Sequence, residues 1–412
     1  MTTTMRPEDE AVRKEIGNIQ AIEGLRGVAV LWVLVFHYVV VRSGGFHDPF
    51  VEWIDGSRPL HVVVRYGFLG VDLFFLITGF LLVLPWFKHA AEGRAQPSAR
   101  GFYWRRIKRI VPAYYVQLMV LFFVFVPLIN PDLWRSASSF VLANLGLHTL
   151  FLHQLTPYSS ASLSINGALW TLTLEAQYYV LLPLVAAWFV RAPMVAAGTF
   201  MATALLWQSL AAHDLAPLIS IYATIGARWN IPEADLRHLA ATQLPAYLGH
   251  FALGILCGRA WLRHRDMTAN RVASLMLGAL AVGALASLYA ALAGGAAFFG
   301  EHAGFVFPIL MAIFIWAAVS RNPAWGGRLL GMPPLAFIGR VSYSMYLYHL
   351  PLLLLFNKYM PGGLDGFAFP CYFAIVVGVG MISFRYVEQP FMGPKRARQS
   401  SATNLQKSSP TN

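Results

Sequence analysis

Residues 25–43 read LRGVAVLWVLVFHYVVVRS, an apolar run that carries Arg26 near one end and His37 well inside it. Its length matches the roughly 20 apolar residues that an α-helix needs to cross a bilayer, so this run decides the fold class. Ionisable groups inside a span are costly and mark pathways or reaction sites by default. The eleven-residue step from Arg26 to His37 rises about 16.5 Å and turns about 20° past three full revolutions at helical geometry. Both side chains therefore share one face, with a cation near the membrane surface and a proton-transfer group near the midplane.

The rest of the composition agrees. With 57% hydrophobic and 12% charged residues, the 412-residue chain cannot cover a soluble globule with polar surface, and it reads as an all-α, multi-pass membrane protein. The first twenty residues mix Glu8, Asp9, Glu10 and Glu15 with Arg6, Arg13 and Lys14, unlike a cleavable signal, so the first helix is expected to remain as an anchor. Cys257 and Cys371 are the only cysteines, each in an apolar stretch, which argues against a disulfide framework and a thiolate metal site. The net charge of +12 does not point to nucleic acid, because the arginines cluster beside apolar segments as topology signals.

Apolar runs long enough to span fall near 25–43, 66–87, 111–129, 167–190, 193–212, 243–262, 271–293, 303–320, 337–358 and 367–389, about ten in all. A further stretch, 138–154, is shorter and interrupted by Asn144, His148 and His153. The basic link containing Lys88, Arg94, Arg100, Arg105, Arg106, Lys108 and Arg109 places itself and the N-terminus in the cytoplasm. Ten crossings also bring Arg263/Arg265/Arg271, Arg321/Arg328 and Lys395/Arg396/Arg398 inside, whereas eleven would turn all three groups outward. Residues 138–154 are therefore read as a re-entrant or interfacial outer segment, accompanied by an external link, 213–242, forming a small cap. The organisation expected is a cytoplasmic segment 1–20, a transmembrane unit 21–392 and a disordered basic cytoplasmic tail 393–412.

Glu175, at the end of NGALWTLTLE, lies about 13 Å into the fourth span, a depth near that estimated for His37. A carboxylate beside an imidazole would orient the ring and raise its basicity; an interhelical hydrogen bond without chemistry is the alternative. Arg106 and Arg109, in FYWRRIKRIVPAYY, stand on one helix face and suit a phosphorylated, adenine-bearing donor. Taken alone, such a pair is more often a topology determinant or a lipid-headgroup contact. In GFLGVDLFFLITGF, Asp72 reads as the partner of an external arginine or as a cap on an irregular helix entry. Ser342, Tyr343 and His349 belong to the polar lining of IGRVSYSMYLYHL, expected to face a cavity, and in SFRYVEQPF Arg385 and Glu388 are expected to pair, with Pro390 stopping the helix. P-loop, HExxH and GxSxG motifs do not occur.

The ordered set IEGLRG with Arg26 and His37, GVDLFFLITGF, RRIKRIVP, LWTLTLEAQYY, IGRVSYSMYLYHL and FRYVEQP resembles the acyltransferase-3 family of integral-membrane acyltransferases over nearly the whole chain. The family's arginine, ten intervening residues and histidine fall on Arg26 and His37, and its RxxR element on Arg106 and Arg109. The resemblance implies about ten helices, an acyl-CoA donor, and O-acylation, most simply acetylation, of an envelope carbohydrate or related hydroxyl in the bacterial inner membrane. Glu23 replaces a commoner aspartate, Thr78 and Thr173 replace serines, and Ala176 stands where a second glutamate often follows the first, which weakens any mechanism needing adjacent carboxylates. Many members carry an esterase-like domain after the last span; none is expected within this polypeptide.

The mechanism implied holds the acyl-CoA phosphates on Arg106, Arg109 and Arg26. His37, oriented by Glu175 or another buried acid, then acts as base on an acceptor hydroxyl or is itself briefly acylated. Expected partners are acyl-CoA, a carbohydrate or glycoside and the lipid bilayer, with no nucleic acid, no metal and no tightly bound cofactor. The rival reading is a proton-coupled transporter or exporter relaying protons through His37, Glu175 and Asp72. Paired half-length helices and an internal repeat, which would favour it, are not seen in the sequence.

Overall fold

The computed structural model describes residues 20–160, 164–213, 216–226, 231–264, 271–294, 297–319, 325–360 and 366–392. The amino-terminal residues 1–19 and the tail 393–412, including the expectation of a disordered basic tail, lie outside the described residues.

Each long apolar run folds as a helix, the conformation that satisfies every backbone amide within one segment where water is absent. In chain order these are α1 (Gln20–Arg42), α2 (Gly70–Ala91), α3 (Ala99–Val120), α4 (Trp170–Arg191), α5 (Pro193–His213), α6 (Leu244–His264), α7 (Arg271–Ala293), α8 (Ala297–Val319), α9 (Pro333–Tyr359) and α10 (Ala368–Ser383). Among the described residues, seven helical stretches are long and apolar enough to cross a membrane, formed on α1 to α6 and α10, while α7 and α8 contribute shorter apolar stretches, Gly278–Ala293 and Val306–Val319. Helix α9, at 27 residues, has length to spare, but its apolar character is diluted by Arg340, Ser342, Ser344, His349, Asn357 and Lys358. The protein is an all-α, multi-pass membrane protein.

The basic run ahead of the third span is helical throughout. Ser98 caps α3 by accepting from the Gly101 amide at 3.4 Å, and helix continues from Ala99 to Ile129. Arg106 and Arg109 thus ride on the same rod that enters the membrane. Two π turns, Leu121–Phe125 after α3 and Phe384–Glu388 after α10, shift the helical register locally.

The segment near 138–154 holds a 12-residue helix, Ser138–Thr149, whose length of about 18 Å falls short of the ~30 Å hydrocarbon core. Tyr114 and Tyr115 of α3 donate to its last carbonyls, His148 O at 2.9 Å and Thr149 O at 3.0 Å. The chain then reverses through Phe151, whose φ of 57° is a left-handed conformation usually left to glycine. Stacking of Phe151 on Tyr114, with centroids 4.3 Å apart, holds that conformation, and the reversal lays His153 flat against His148 at 4.1 Å. In the 213–242 link, the short helices Ala216–Gly226 and Glu233–Ala241 pack together through Ile219, Tyr222, Leu236 and Leu239. Trp207 of α5 ties them down by donating to Ala240 O at 3.1 Å.

Two helix pairs form the centre. Helices α2 and α6 meet backbone to backbone: a Cβ on Gly79 would stand 2.3 Å from Phe251 O, and one on Gly254 2.1 Å from Leu76 O. Small residues allow this close approach, which drives association where lipid removes the hydrophobic incentive. Helices α1 and α9 do the same at their amino-terminal ends, where a Cβ on Gly339 would sit 1.7 Å from Glu23 O. Along α1 and α9 the cross-helix partners Glu23–Arg340, Arg26–Ser342, His37–His349 and Arg42–Asn357 advance together, so the two helices run parallel.

Candidate active site: an arginine cluster and a histidine pair

The α1–α9 pair displays the Arg26–His37 face. Arg26 Nη2 donates to Ser342 Oγ at 3.2 Å. Further along, His37 Nδ1 lies 2.9 Å from Val33 O and 3.3 Å from His349 Nε2. The spacing of seven residues between Ser342 and His349 is two helical turns, so α9 offers one face to the α1 face that carries Arg26 and His37. His37 is partly buried, while His349 is 1% exposed and its Nδ1 lies 2.7 Å from Tyr346 O. Helix α1 ends at Arg42, five residues beyond His37. The histidine pair thus sits in the half of α1 nearer Arg42, about 7.5 Å from that end.

Around Arg26 the bundle gathers residues from five segments. Arg26 shares its electrostatic neighbourhood with Arg109 of α3, Glu175 and Tyr179 of α4, and Glu388 of the π turn after α10. Arg106 joins through Arg109, Glu175 and Tyr179. Its guanidinium lies 6.0 Å from the ring centroids of both Phe102 and Tyr179, and its Nε is buried with no hydrogen-bond partner. The Arg109 contact is soft, Nη1 reaching Met392 Sδ at 3.9 Å. Among the described residues none of the three guanidinium groups forms an ion pair with a carboxylate.

The two carboxylates of the cluster are occupied by hydroxyls. Glu175 Oε1 accepts from Tyr179 and, at 3.4 Å, from Thr78 of α2. Glu388 Oε1 accepts from Ser344, which also lies 2.8 Å from Ser383 Oγ, and Glu388 Oε2 is buried without a partner. Neighbouring Tyr343 donates to Ile110 O at 3.2 Å, tying α9 to α3 beside the arginines.

Several sequence expectations change here. Glu175 does not stand beside His37, whose ring partner is His349; it lies with Tyr179, Thr78 and the arginines at the Arg26 end of α1, so it does not share the depth of His37. Asp72 Oδ1 faces His250 Nε2 of α6 at 3.6 Å, beyond hydrogen-bond reach, in place of an external arginine, because the glycine contacts press α2 against α6. Arg385 and Glu388 do not pair: Arg385 donates to Gln389 at 2.7 Å, and the π turn swings Glu388 inward to Ser344. Sequence reasoning also passed over Tyr179 and His250. Only Tyr179 carried a local signal, being one turn beyond Glu175.

Comparison with known proteins adds to this geometry. The family model described as "Acyltransferase domain", acyltransferase-3, matches residues 19–385. The chain belongs to the acyltransferase-3 family. That match spans α1 to the π turn after α10 and so takes in Arg26, His37, Arg106, Arg109, Glu175 and His349. A Staphylococcus aureus (strain COL) protein bearing the name "Putative O-acetyltransferase SACOL0978" is 23% identical over 388 residues, covering 92% of this chain and 58% of that protein. "O-acetyltransferase OatA" of Staphylococcus aureus (strain NCTC 8325 / PS 47) is 25% identical over 385 residues, covering 90% of this chain and 57% of its own length. The chain thus spans less than three fifths of these relatives. No solved structure matches.

Proposed function

We propose that this membrane protein is an O-acyltransferase that moves an acyl group, most simply acetyl, from acyl-CoA on the cytoplasmic side to a hydroxyl of an envelope carbohydrate or glycoside. The observation that carries the reading is the arginine cluster. Arg26, Arg106 and Arg109 are partly buried, close to one another, and free of carboxylate ion pairs, although Glu175 and Glu388 are near. Guanidinium donors left unused at a membrane edge suit the phosphates of an anionic ligand, which form strong charge-assisted hydrogen bonds.

His37 lies about 16.5 Å along α1 from Arg26. That separation suits a donor whose phosphates and thioester are joined by a long thin arm. In the reaction, His37 takes the proton of the acceptor hydroxyl, the acceptor oxygen bonds to the acyl carbon as its C–S bond breaks, and the proton passes from His37 to the leaving thiolate. A transient acyl-histidine is the two-step variant, with the imidazole as first nucleophile. The O-acetyltransferase names of the relatives support the reaction class. The proton-relay rival loses support because His37, Glu175 and Asp72 each have separate partners.

The test is transfer or thioester cleavage by the purified protein in bilayers with radiolabelled acetyl-CoA, together with mass spectrometry of envelope glycans from cells with and without this chain. His37→Ala is expected to lower the rate about 100-fold or more, as loss of a general base does. A folded His37→Ala protein with wild-type turnover would remove the reading.

A further inference from the structure

We propose that His349 is a positioning residue that holds the His37 ring as its Nδ1–H tautomer, making His37 Nε2 the atom that meets the acceptor hydroxyl. This rests on the reading of His37 as the base and names the partner that prepares it.

His349 Nδ1 lies 2.7 Å from Tyr346 O, and a carbonyl oxygen only accepts, so this nitrogen carries the ring hydrogen. A neutral imidazole with hydrogen on Nδ1 has a lone pair on Nε2. That lone pair faces His37 Nδ1 at 3.3 Å, so the hydrogen between the rings belongs to His37. Val33 O, at 2.9 Å from the same His37 nitrogen, makes the same demand. Two acceptors thus converge on His37 Nδ1, and the remaining lone pair of its ring is on Nε2. Among the described residues nothing hydrogen-bonds His37 Nε2.

His349 is built to stay where it is. It is 1% exposed, its carbonyl accepts from Tyr372 of α10 at 3.1 Å, and the Tyr346 ring lies 5.3 Å from its own. Tyr346 is held in turn by Thr171, 2.9 Å from its hydroxyl. Val33 O cannot replace this anchor, because it belongs to the same helix as His37 and restrains the ring only relative to α1. His349 fixes the ring relative to α9, the helix that also carries Ser342 against Arg26.

The arrangement does the work that a carboxylate does behind the histidine of a hydrolytic triad, orienting the ring and stabilising the imidazolium that forms. When His37 gains the acceptor's proton on Nε2, its Nδ1–H donates to His349 Nε2 as a charge-assisted hydrogen bond. A neutral acceptor performs this role without the cost of a buried, unpaired anion in the resting state. The Ala176 departure from a paired-carboxylate pattern then costs the base nothing, since its partner is on α9.

The experiment compares kcat and KM for acetyl-CoA in wild type, His37→Ala, His349→Ala and His349→Gln, the last keeping a side-chain carbonyl acceptor in case the alanine variant fails to fold. Loss of the orienting partner costs up to about 10⁴-fold where it acts alone, and with Val33 O sharing the task a fall in kcat of about 100-fold is expected for His349→Ala. KM for acetyl-CoA should stay within about twofold, since the arginine contacts are untouched, and His349→Gln should recover part of kcat. Nitrogen-15 spectra of labelled histidine, with His37 assigned by difference against His37→Gln, should show the Nδ1–H tautomer in wild type and a mixture in His349→Ala. Wild-type kcat in both His349 variants while His37→Ala is inactive, or an unchanged His37 tautomer, would overturn the assignment to His349 and leave the base reading standing. An active His37→Ala would overturn both.

Discussion

The two arginines of α1 stand 16 residues apart on one helix and live in opposite electrostatic conditions. Arg42 is fully buried and ion-paired: Nε donates to Asp48 at 2.6 Å, Nη1 donates to Asn357 at 2.7 Å, the Phe46 ring lies 4.7 Å away, and Nη2 is left without a hydrogen-bond partner. Asp48 is occupied in turn by the Tyr38 hydroxyl at 2.5 Å and by the amides of Phe50 and Val51, which it caps. Arg26 meets a single neutral hydroxyl, and its nearby carboxylates are engaged by other groups. One end of α1 holds an arginine paired with a carboxylate; the other holds an arginine with none.

This contrast separates scaffold from site on physical grounds. A buried guanidinium is tolerable when a carboxylate and hydrogen bonds replace its water, and removing one partner then leaves an uncompensated charge. Partly buried guanidinium groups without carboxylates keep donors for a ligand and gain from its arrival. The partners of Arg42 include Asp48, six residues on in the same chain, so that end forms from a local turn. The cluster around Arg26 needs α3, α4, α9 and the turn after α10 to be in place first.

The largest effect that would break the comparison is at the Arg42 end. Arg42→Ala should destabilise the protein by about 3–5 kcal/mol by stranding Asp48, read as a lowered midpoint in thermal unfolding in detergent, while Arg26→Ala should shift that midpoint far less. Equal losses at the two positions would mean that Arg26 is structural after all. Replacing Arg106 and Arg109 together by alanine should raise the KM for acyl-CoA by about 100-fold, one to two charge-assisted hydrogen bonds, with a much smaller change in kcat. The opposite split would deny the cluster a donor-binding role.

Gly339→Ala comes next, since its Cβ would collide with Glu23 O and force α1 and α9 apart. An overpacking cost of about 1–3 kcal/mol is expected, together with loss of turnover as Arg26–Ser342 and His37–His349 drift out of register. Retained activity with lowered stability would show that the register is not needed. The smallest effect is at Tyr179→Phe. Without the hydroxyl, Glu175 is free to turn to Arg106, and a rise of about threefold to tenfold in donor KM should follow, in line with roughly 1 kcal/mol for one hydrogen bond. A fall in KM would show that Tyr179 competes with the donor instead of protecting its site.

Much of this is legible in the sequence. Run lengths gave the helical segments to within a few residues, except at α3, where Ser98 starts the helix well before the apolar stretch. The shared face of Arg26 and His37, and that of Arg106 and Arg109, follow from periodicity within one helix. The partners did not follow. Glu175 and His37 have similar estimated depths, yet Glu175 lies beside Arg26, about 16.5 Å along α1 from His37, because the offset of one helix against another is not written in either helix. The inward turn of Glu388 depends on a π turn, a register shift with no mark in FRYVE.

Read alone, then, the chain settles what a single helix imposes on its own residues: which segments fold as long apolar helices, and which side chains lie on one face. Backbone hydrogen bonding in lipid leaves the helix little choice, so these properties are local. Helix rotation and crossing are different, because they are set by contacts between residues hundreds apart, above all the backbone approaches at Gly339 and Gly254. Those contacts decided that His37 faces His349, that Asp72 faces His250, and that three arginines converge without a carboxylate to close them.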